Sequence, residues 1–329
     1  MHRFDDPIDR ALLNDWQRDF PIAARPFSAL AQHLGTSEAD VIARLRAKQA
    51  AGQITRVGAT VAPNTIAAST LAAVAAPEDR IEEVAQIIGD EPGVNHSYLR
   101  ENDWNLWFVA TGPDRAHVDA TLTRIGRRCG LRVLDLRLVR PFNLDLGFSL
   151  RDETGMRPVA PPPDTSVLRA GDHLIMQALT EGLPLIERPY AHIGAALGLS
   201  MDAVIARIRV LVAARIIARF GVIVRHRALG WRANAMVVWD LPHEAITAAG
   251  PALAASPGVT LCYERSIVAG VWPWRLYCMI HARSRAEALA RLETAAALPE
   301  LREVPHLALF STRCFKQTGA MVAHERSSA

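Results

Sequence analysis

Apolar positions fall into two alternating rhythms along this chain. Behind Ser37, the residues Val41, Ile42 and Leu45 stand at i, i+1 and i+4, and behind Ser200 the residues Val204, Ile205 and Ile208 repeat that spacing. This is the stripe of an amphipathic helix opened by a serine N-cap. Two helical segments precede each stripe, around 8–19 and 26–33 and around 170–181 and 189–196, and a β-rich run follows at 53–61 and 216–224. The pattern predicts a helix-turn-helix with a β wing, twice. Beyond each wing the order becomes β-α-β-β-α-β. Strands are expected at 68–76, 94–100, 104–111 and 131–139 with helices at 78–89 and 114–128, then strands at 233–240, 259–265, 274–281 and 303–311 with helices at 243–255 and 284–297. That order is the ferredoxin-like split βαβ unit.

The two halves are copies of one another. Arg25-Pro26-Phe27 returns as Arg188-Pro189-Tyr190, and VIARLR at 41–46 returns as VIARIR at 204–209, both at an offset of 163. The offset grows to 165 at Gly258-Val259, 170 at Trp274 and 173 at Arg313 and Phe315, so the second copy carries small insertions, one of them between Arg265 and Trp274. Between the copies, RDETGMRPVAPPPDTS holds Pro158 and Pro161 to Pro163, which continue neither a helix nor a central strand. It reads as a stiff tether joining a heterodimer into one chain. The expected fold class is α+β, a tandem repeat of winged helix-turn-helix plus ferredoxin-like domain. The divisions fall at 1–62 and 63–150, a linker at 151–166, then 167–225 and 226–329.

Charge sharpens this picture once it is divided. The 329 residues hold 37 basic and 34 acidic side chains, a net +3 that argues against a nucleic-acid coat. Residues 1–164 contain 19 basic and 22 acidic, net −3, whereas 165–329 contain 18 and 12, net +6. Seven arginines, from Arg207 to Arg232, occur with no carboxylate between Asp202 and Asp240. Such a run is either a solvated face or a site for a polyanion, since guanidinium groups bind carboxylates and phosphates bidentately. The four cysteines are scattered without CxxC spacing, so neither a disulfide framework nor a zinc site is expected. With a polar start and no apolar run of spanning length, a soluble cytoplasmic protein without a membrane partner is expected.

Two segments carry candidate chemistry. His96, Tyr98 and Arg100 at i, i+2 and i+4 share one face of a strand, with Trp104 and Trp107 on the strand paired to it. An imidazole, a phenol and a guanidinium beside indoles suit a flat aromatic ligand bearing acids, with the imidazole able to transfer a proton near neutral pH. The alternative is a sheet face packed on a partner protomer. In the second copy Arg225, His226 and Arg227 follow the wing, then Trp231, Arg232 and Asn234. Flanking cations disfavour a charged His226, which suits a proton donor or an iron ligand, and equally a plain surface histidine. Leu261, Tyr263 and Arg265 stand in the places of His96, Tyr98 and Arg100, so the copies are not equivalent.

Helix-turn-helix plus split βαβ unit resembles the Lrp/AsnC regulators. Yet Glu38, Asp40 and Asp202 occupy the first turns of the recognition helices, where they would face phosphates, so DNA is not the expected partner. The segments VNHSYLRENDWNLWFV, RFGVIVRHRALGWRANAMVVWD and VTLCYERSIVAGVWPWRLYCMIHARS look closer to the siroheme decarboxylases, in the fused two-copy form associated with haem d1 biosynthesis. The resemblance covers nearly everything outside the linker and the last ten or so residues. It implies removal of CO2 from the C12 and C18 acetates of siroheme, giving 12,18-didecarboxysiroheme. No redox cofactor and no resident metal are implied, the iron belonging to the substrate. Carried onto these residues, it makes His96 and His226 the catalytic histidines, and Arg100, Arg225, Arg227, Arg232 and Arg265 carboxylate clamps. Tyr98, Tyr263, Trp104 and Trp274 would shape the cavity. It also implies a pseudo-twofold pairing of the copies and leaves a further homodimer open. The alternative is a tetrapyrrole-responsive regulator, which would bind siroheme, leave it intact, and hold DNA with a steep salt dependence.

Overall fold

A computed structural model describes residues 6–143, 161–225, 227 and 230–324. The first copy opens with α1 (Pro7–Asn14), α2 (Pro26–Leu34) and α3 (Glu38–Ala50). Pro26 sits in the first turn of α2, where its missing N–H costs nothing, and Gly35 ends that helix in the left-handed region at φ 67°. Ser37 Oγ accepts from the Asp40 N–H to cap α3. The wing is β1 (Ile54–Val61). Then come β2 (Ala68–Val74), α4 (Ile81–Asp90), β3 (Val94–Arg100), β4 (Leu106–Gly112), α5 (Arg115–Cys129), β5 (Val133–Leu136) and β6 (Leu138–Asn143). The second copy repeats the series with α6 (Asp172–Glu181), α7 (Pro189–Leu197), α8 (Met201–Ala213), β7 (Ile217–Val224), β8 (Ala233–Trp239), α9 (Ile246–Ala254), β9 (Val259–Arg265), β10 (Leu276–Ala282), α10 (Arg285–Ala296) and β11 (His306–Gln317).

The copies interlock at both ends. The two wings pair antiparallel, and the first helical segment of each copy packs on the wing of the other. Gly58 on β1 lies against the Leu179 carbonyl of α6, and Gly221 on β7 lies against the backbone of Trp16 and Gln17; a Cβ at either position would collide with main chain. Leu12, Phe27, Leu45 and Ile54 therefore share one core with Met176, Leu179, Ile208 and Val222.

The remaining strands form one sheet in the order β5-β2-β4-β3-β11-β8-β10-β9-β6. Since β5 and β6 are consecutive and separated only by Arg137, the ends of this order meet and the sheet closes on itself. Each copy's last strand is shared. Residues 306–310 of β11 pair with β8 of their own copy and residues 311–317 pair with β3 of the other. In the same way β5 pairs with β2, and β6 crosses to β9. The final strand therefore runs to Gln317 instead of stopping at 311.

Alternation assigns the two sheet faces. The outward strand residues Val74 and Phe108 share a core with Val84 and Ile88 of α4 and Val118 and Ile125 of α5, and Val237 and Trp239 share one with Leu253 of α9 and Leu292 of α10. Inward residues from both copies, including Leu71, Trp107, Leu136, Met236, Tyr263, Trp272, Tyr277 and Leu309, make a third core between them.

Candidate functional site

Register places His96, Tyr98 and Arg100 on the inner face. Tyr98 pairs with Trp107 of β4 on one side and Cys314 of β11 on the other, while His96 pairs with Val109 and Gln317. The His96 and Tyr98 rings stack at 6.4 Å, and the Arg100 guanidinium lies over the Tyr98 ring at 5.5 Å. Arg100 is buried at 6% exposure. It donates from one terminal nitrogen to Asn234 Oδ1 (3.2 Å) and to the Leu309 carbonyl (3.0 Å), both on the second copy, and its Nε has no partner among the described residues.

A polar chain extends behind Arg100. Asn234 Nδ2 lies 2.7 Å from His281 Nε2, and His281 Nδ1 lies 2.7 Å from Thr260 Oγ1, whose hydroxyl donates to the Met279 carbonyl. With the Thr260 hydroxyl committed to Met279, the consistent tautomer puts the imidazole proton on Nδ1 and lets Nε2 accept from Asn234. The chain holds the Asn234 carbonyl toward Arg100.

Arginines gather around this strand. Arg227 donates to the Ser311 carbonyl (2.9 Å), opposite Arg100 in the ladder, and Arg225 lies against Gly52 and close to Cys314. Arg56, on β1, stands near His96. Among the described residues no carboxylate pairs with Arg56, Arg100, Arg225 or Arg227. The local field is positive, with Arg100 buried, Arg56 half-buried, and Arg225 and Arg227 exposed at the edge. Burial and then Arg56 push the His96 imidazole down to about 4, and burial pulls Arg100 and Arg56 down to about 10. Burial also raises the Tyr98 phenol, which stays protonated and able to donate. The arrangement is chemically suited to an anion, with an imidazole held toward its neutral form beside it.

The equivalent place in the other half differs. Arg265 donates to the Leu136 carbonyl (2.7 Å) and lies over Tyr263 at 4.5 Å, mirroring Arg100, Leu309 and Tyr98. Leu261 replaces His96 there, and at the 163-residue offset Ala62, Pro63 and Asn64 replace Arg225, His226 and Arg227. The inserted segment packs Val268, Val271 and Trp272 into the inner core, with Trp272 Nε1 donating to the Tyr277 hydroxyl (2.7 Å) and its ring 5.2 Å from Trp107.

The expected residues therefore separate. His96, Tyr98, Arg100, Arg225 and Arg227 come together, with Tyr263 within electrostatic range of Arg100. Trp104 and Trp274 are half-buried at the rim of the inner core, Trp274 beside Trp272 at 6.3 Å. Arg232 is exposed. His226 lies outside the described residues. Much of the arginine run proves structural: Arg207 forms a buried ion pair with Asp172 (2.6 Å), Arg209 caps the Ile22 carbonyl, and Arg215 binds the Pro162 carbonyl. Arg56, His281, Thr260 and Cys314 were not anticipated. Arg56 had one signal, its match to Arg219 at the wing offset.

Comparison with known proteins agrees with this architecture. The model for the AsnC-like ligand binding domain matches residues 66–142 and 228–316, and that for the siroheme decarboxylase NirDL-like HTH domain matches 9–54 and 172–217. The siroheme decarboxylase NirDL subunit of Paracoccus pantotrophus is 59% identical over 97% of this chain and 98% of its own length. The NirD subunit of Stutzerimonas stutzeri is 47% identical over 45% of this chain and 97% of its own length, a one-copy relative. A crystal structure of the siroheme decarboxylase NirDL in complex with an iron-uroporphyrin III analogue superposes with a TM-score of 0.65, at 26% identity, over 92% of this chain and 90% of that one. With both family models matching twice and near-complete alignment to a fused relative, the chain belongs to the siroheme decarboxylase family.

Proposed function

We propose that this chain decarboxylates siroheme, removing CO2 from the C12 and C18 acetates to give 12,18-didecarboxysiroheme, in haem d1 biosynthesis. One observation carries the reading: four arginines, with no carboxylate partner among the described residues, surround a stacked His–Tyr pair inside a sheet with apolar, indole-rich walls. Siroheme has eight carboxylates on a broad macrocycle, and this is the complementary surface. The iron-uroporphyrin analogue bound by the relative is likewise a polycarboxylated tetrapyrrole.

Each decarboxylation exchanges CO2 for a proton and is redox-neutral. Protonation of the pyrrole lets the electron pair of the breaking C–C bond flow into the ring, and a proton delivered to the exocyclic carbon completes the methyl as the ring proton leaves. His96 delivers one proton in this scheme, and His226 donates another or approaches the iron. Tyr98 donates a hydrogen bond to a substrate carboxylate. Arg100, Arg225, Arg227 and Arg232 hold carboxylates, Tyr263, Trp104 and Trp274 shape the walls, and Arg265, bound to the Leu136 carbonyl in the equivalent place of the other half, takes no carboxylate in this scheme.

One cleft per chain is productive, on the His96 side. The opposite cleft lacks the histidines and the paired arginines, and the Trp272 segment fills its interior. The winged helices serve as packing domains, since their wings are spent on each other and the first turns of α3 and α8 are acidic. Among the described residues no helix is long and apolar enough to cross a membrane, in keeping with a proposed cytoplasmic location. Anaerobic incubation with siroheme tests the function: the product should be lighter by two CO2. Tight binding with siroheme recovered intact would make the chain a sensor or scaffold instead.

A further inference from the structure

Arg56 is an odd residue to find on a wing. It belongs to β1, two residues before Gly58, in a strand whose other side chains serve the helix-turn-helix core. Its Nε is enclosed and finds no partner among the described residues, where its one hydrogen bond, from a terminal nitrogen to the Ala59 carbonyl, is long at 3.4 Å. No carboxylate among the described residues neutralises it. The fold nevertheless reserves room for this side chain. A Cβ on Gly182 would lie 2.9 Å from Arg56 Cβ, and one on Gly58 would lie 3.5 Å from Arg56 Cδ, so the aliphatic stem threads between two glycines. The turn that leads into this strand also meets the second copy's arginines: Gln53 accepts from the Arg225 N–H at 2.9 Å, and the Arg225 guanidinium rests on Gly52. A cation held unpaired in a desolvated position is a standing cost unless a ligand anion completes it.

Resting on the siroheme reading above, we propose that Arg56 anchors a substrate carboxylate, so that the wing of the first helix-turn-helix forms a wall of the tetrapyrrole site. The carboxylate it holds is a neighbour of the reacting acetate and not that acetate itself. Stabilising the scissile carboxylate in the ground state would raise the barrier, because the negative charge leaves it in the transition state. Fixing an adjacent side chain instead delivers the acetate to His96. Arg56 is thus a substrate-positioning residue.

The test compares wild type, Arg56→Gln and Arg56→Lys by absorbance titration with siroheme, thermal unfolding of the ligand-free chains, and decarboxylation of bound siroheme. Arg56→Gln should weaken siroheme binding tenfold or more while the ligand-free chain melts at or above the wild-type temperature, since an uncompensated cation has been removed. Arg56→Lys, which keeps the charge and loses the fork, should recover part of the affinity. Siroheme binding by Arg56→Gln within threefold of wild type would overturn the proposal. So would a lowered melting temperature in the Gln variant with no affinity recovered by Lys, which would mark Arg56 as structural. If wild type binds siroheme but leaves it intact, the decarboxylase reading fails while the binding comparison still judges Arg56.

Discussion

The sharpest consequence concerns the protonation of His96. In the ligand-free chain burial and the nearby Arg56 cation hold its imidazole near 4, against an ordinary 6.5. That difference corresponds to roughly 3 kcal/mol opposing the charged form. At neutral pH the residue proposed to give up a proton does not carry a spare one. Substrate must reverse the field. A single carboxylate about 4 Å away contributes about 4 kcal/mol at an effective dielectric near 20, enough to offset the whole penalty. Neutralising Arg56 acts in the same direction. The His96 imidazole should therefore titrate below pH 5 in the ligand-free chain and rise to near 6.5 or above when iron-free sirohydrochlorin is bound. That ligand is a diamagnetic probe that keeps the eight carboxylates. Histidine ring signals followed by NMR, assigned with His96→Ala, give both values. An imidazole titrating at 6.5 without ligand, or one still near 4 in the complex, would refute the reasoning. The same linkage has a stability side: because the folded state disfavours the proton, the contribution of neutral His96 is complete above 6.5 and is lost as pH falls toward 4.

Other expectations follow from the same geometry. His96→Ala should bind siroheme and turn it over roughly 10²- to 10⁴-fold more slowly, the usual contribution of a placed proton donor; turnover at the wild-type rate would remove His96 from that role. Asn234→Leu leaves Arg100 held by the Leu309 carbonyl alone, so siroheme affinity should fall by about 1.5–3 kcal/mol, read by absorbance titration. Arg207→Met strands buried Asp172 and should cost about 3–5 kcal/mol in urea unfolding, while folded protein decarboxylates at the wild-type rate. Trp272→Ala should cost roughly 3–5 kcal/mol and still bind one siroheme per chain; two per chain would refute the single productive cleft.

Much of the fold could be read from local pattern. Ser37 and Ser200 cap the helices their spacing indicated, and the β-α-β-β-α-β order holds in both copies. What local pattern missed was exchange between copies. Residues 311–317 are polar and exposed at several positions because they pair with β3 of the other copy instead of covering their own core, so they carry no alternation to announce a strand. The two wings were legible as strands at 53–61 and 216–224, but nothing local in the sequence shows that Gly58 and Gly221 each admit backbone of the other copy. At the site, the alternation of His96, Tyr98 and Arg100 was enough to put them on one face. Arg56 was invisible because a lone arginine on a wing strand looks solvated, and Arg207 misled because a buried partner, Asp172, lies 35 residues away.

In the proposed reaction one cleft replaces two acetate carboxylates with protons. Anaerobic turnover of siroheme in D2O, with product examined by mass spectrometry, tests it directly. The expected result is loss of two CO2 with one deuterium in each new methyl group, and sharply reduced conversion by His96→Ala. Siroheme recovered intact, or conversion unaffected by that substitution, would contradict it.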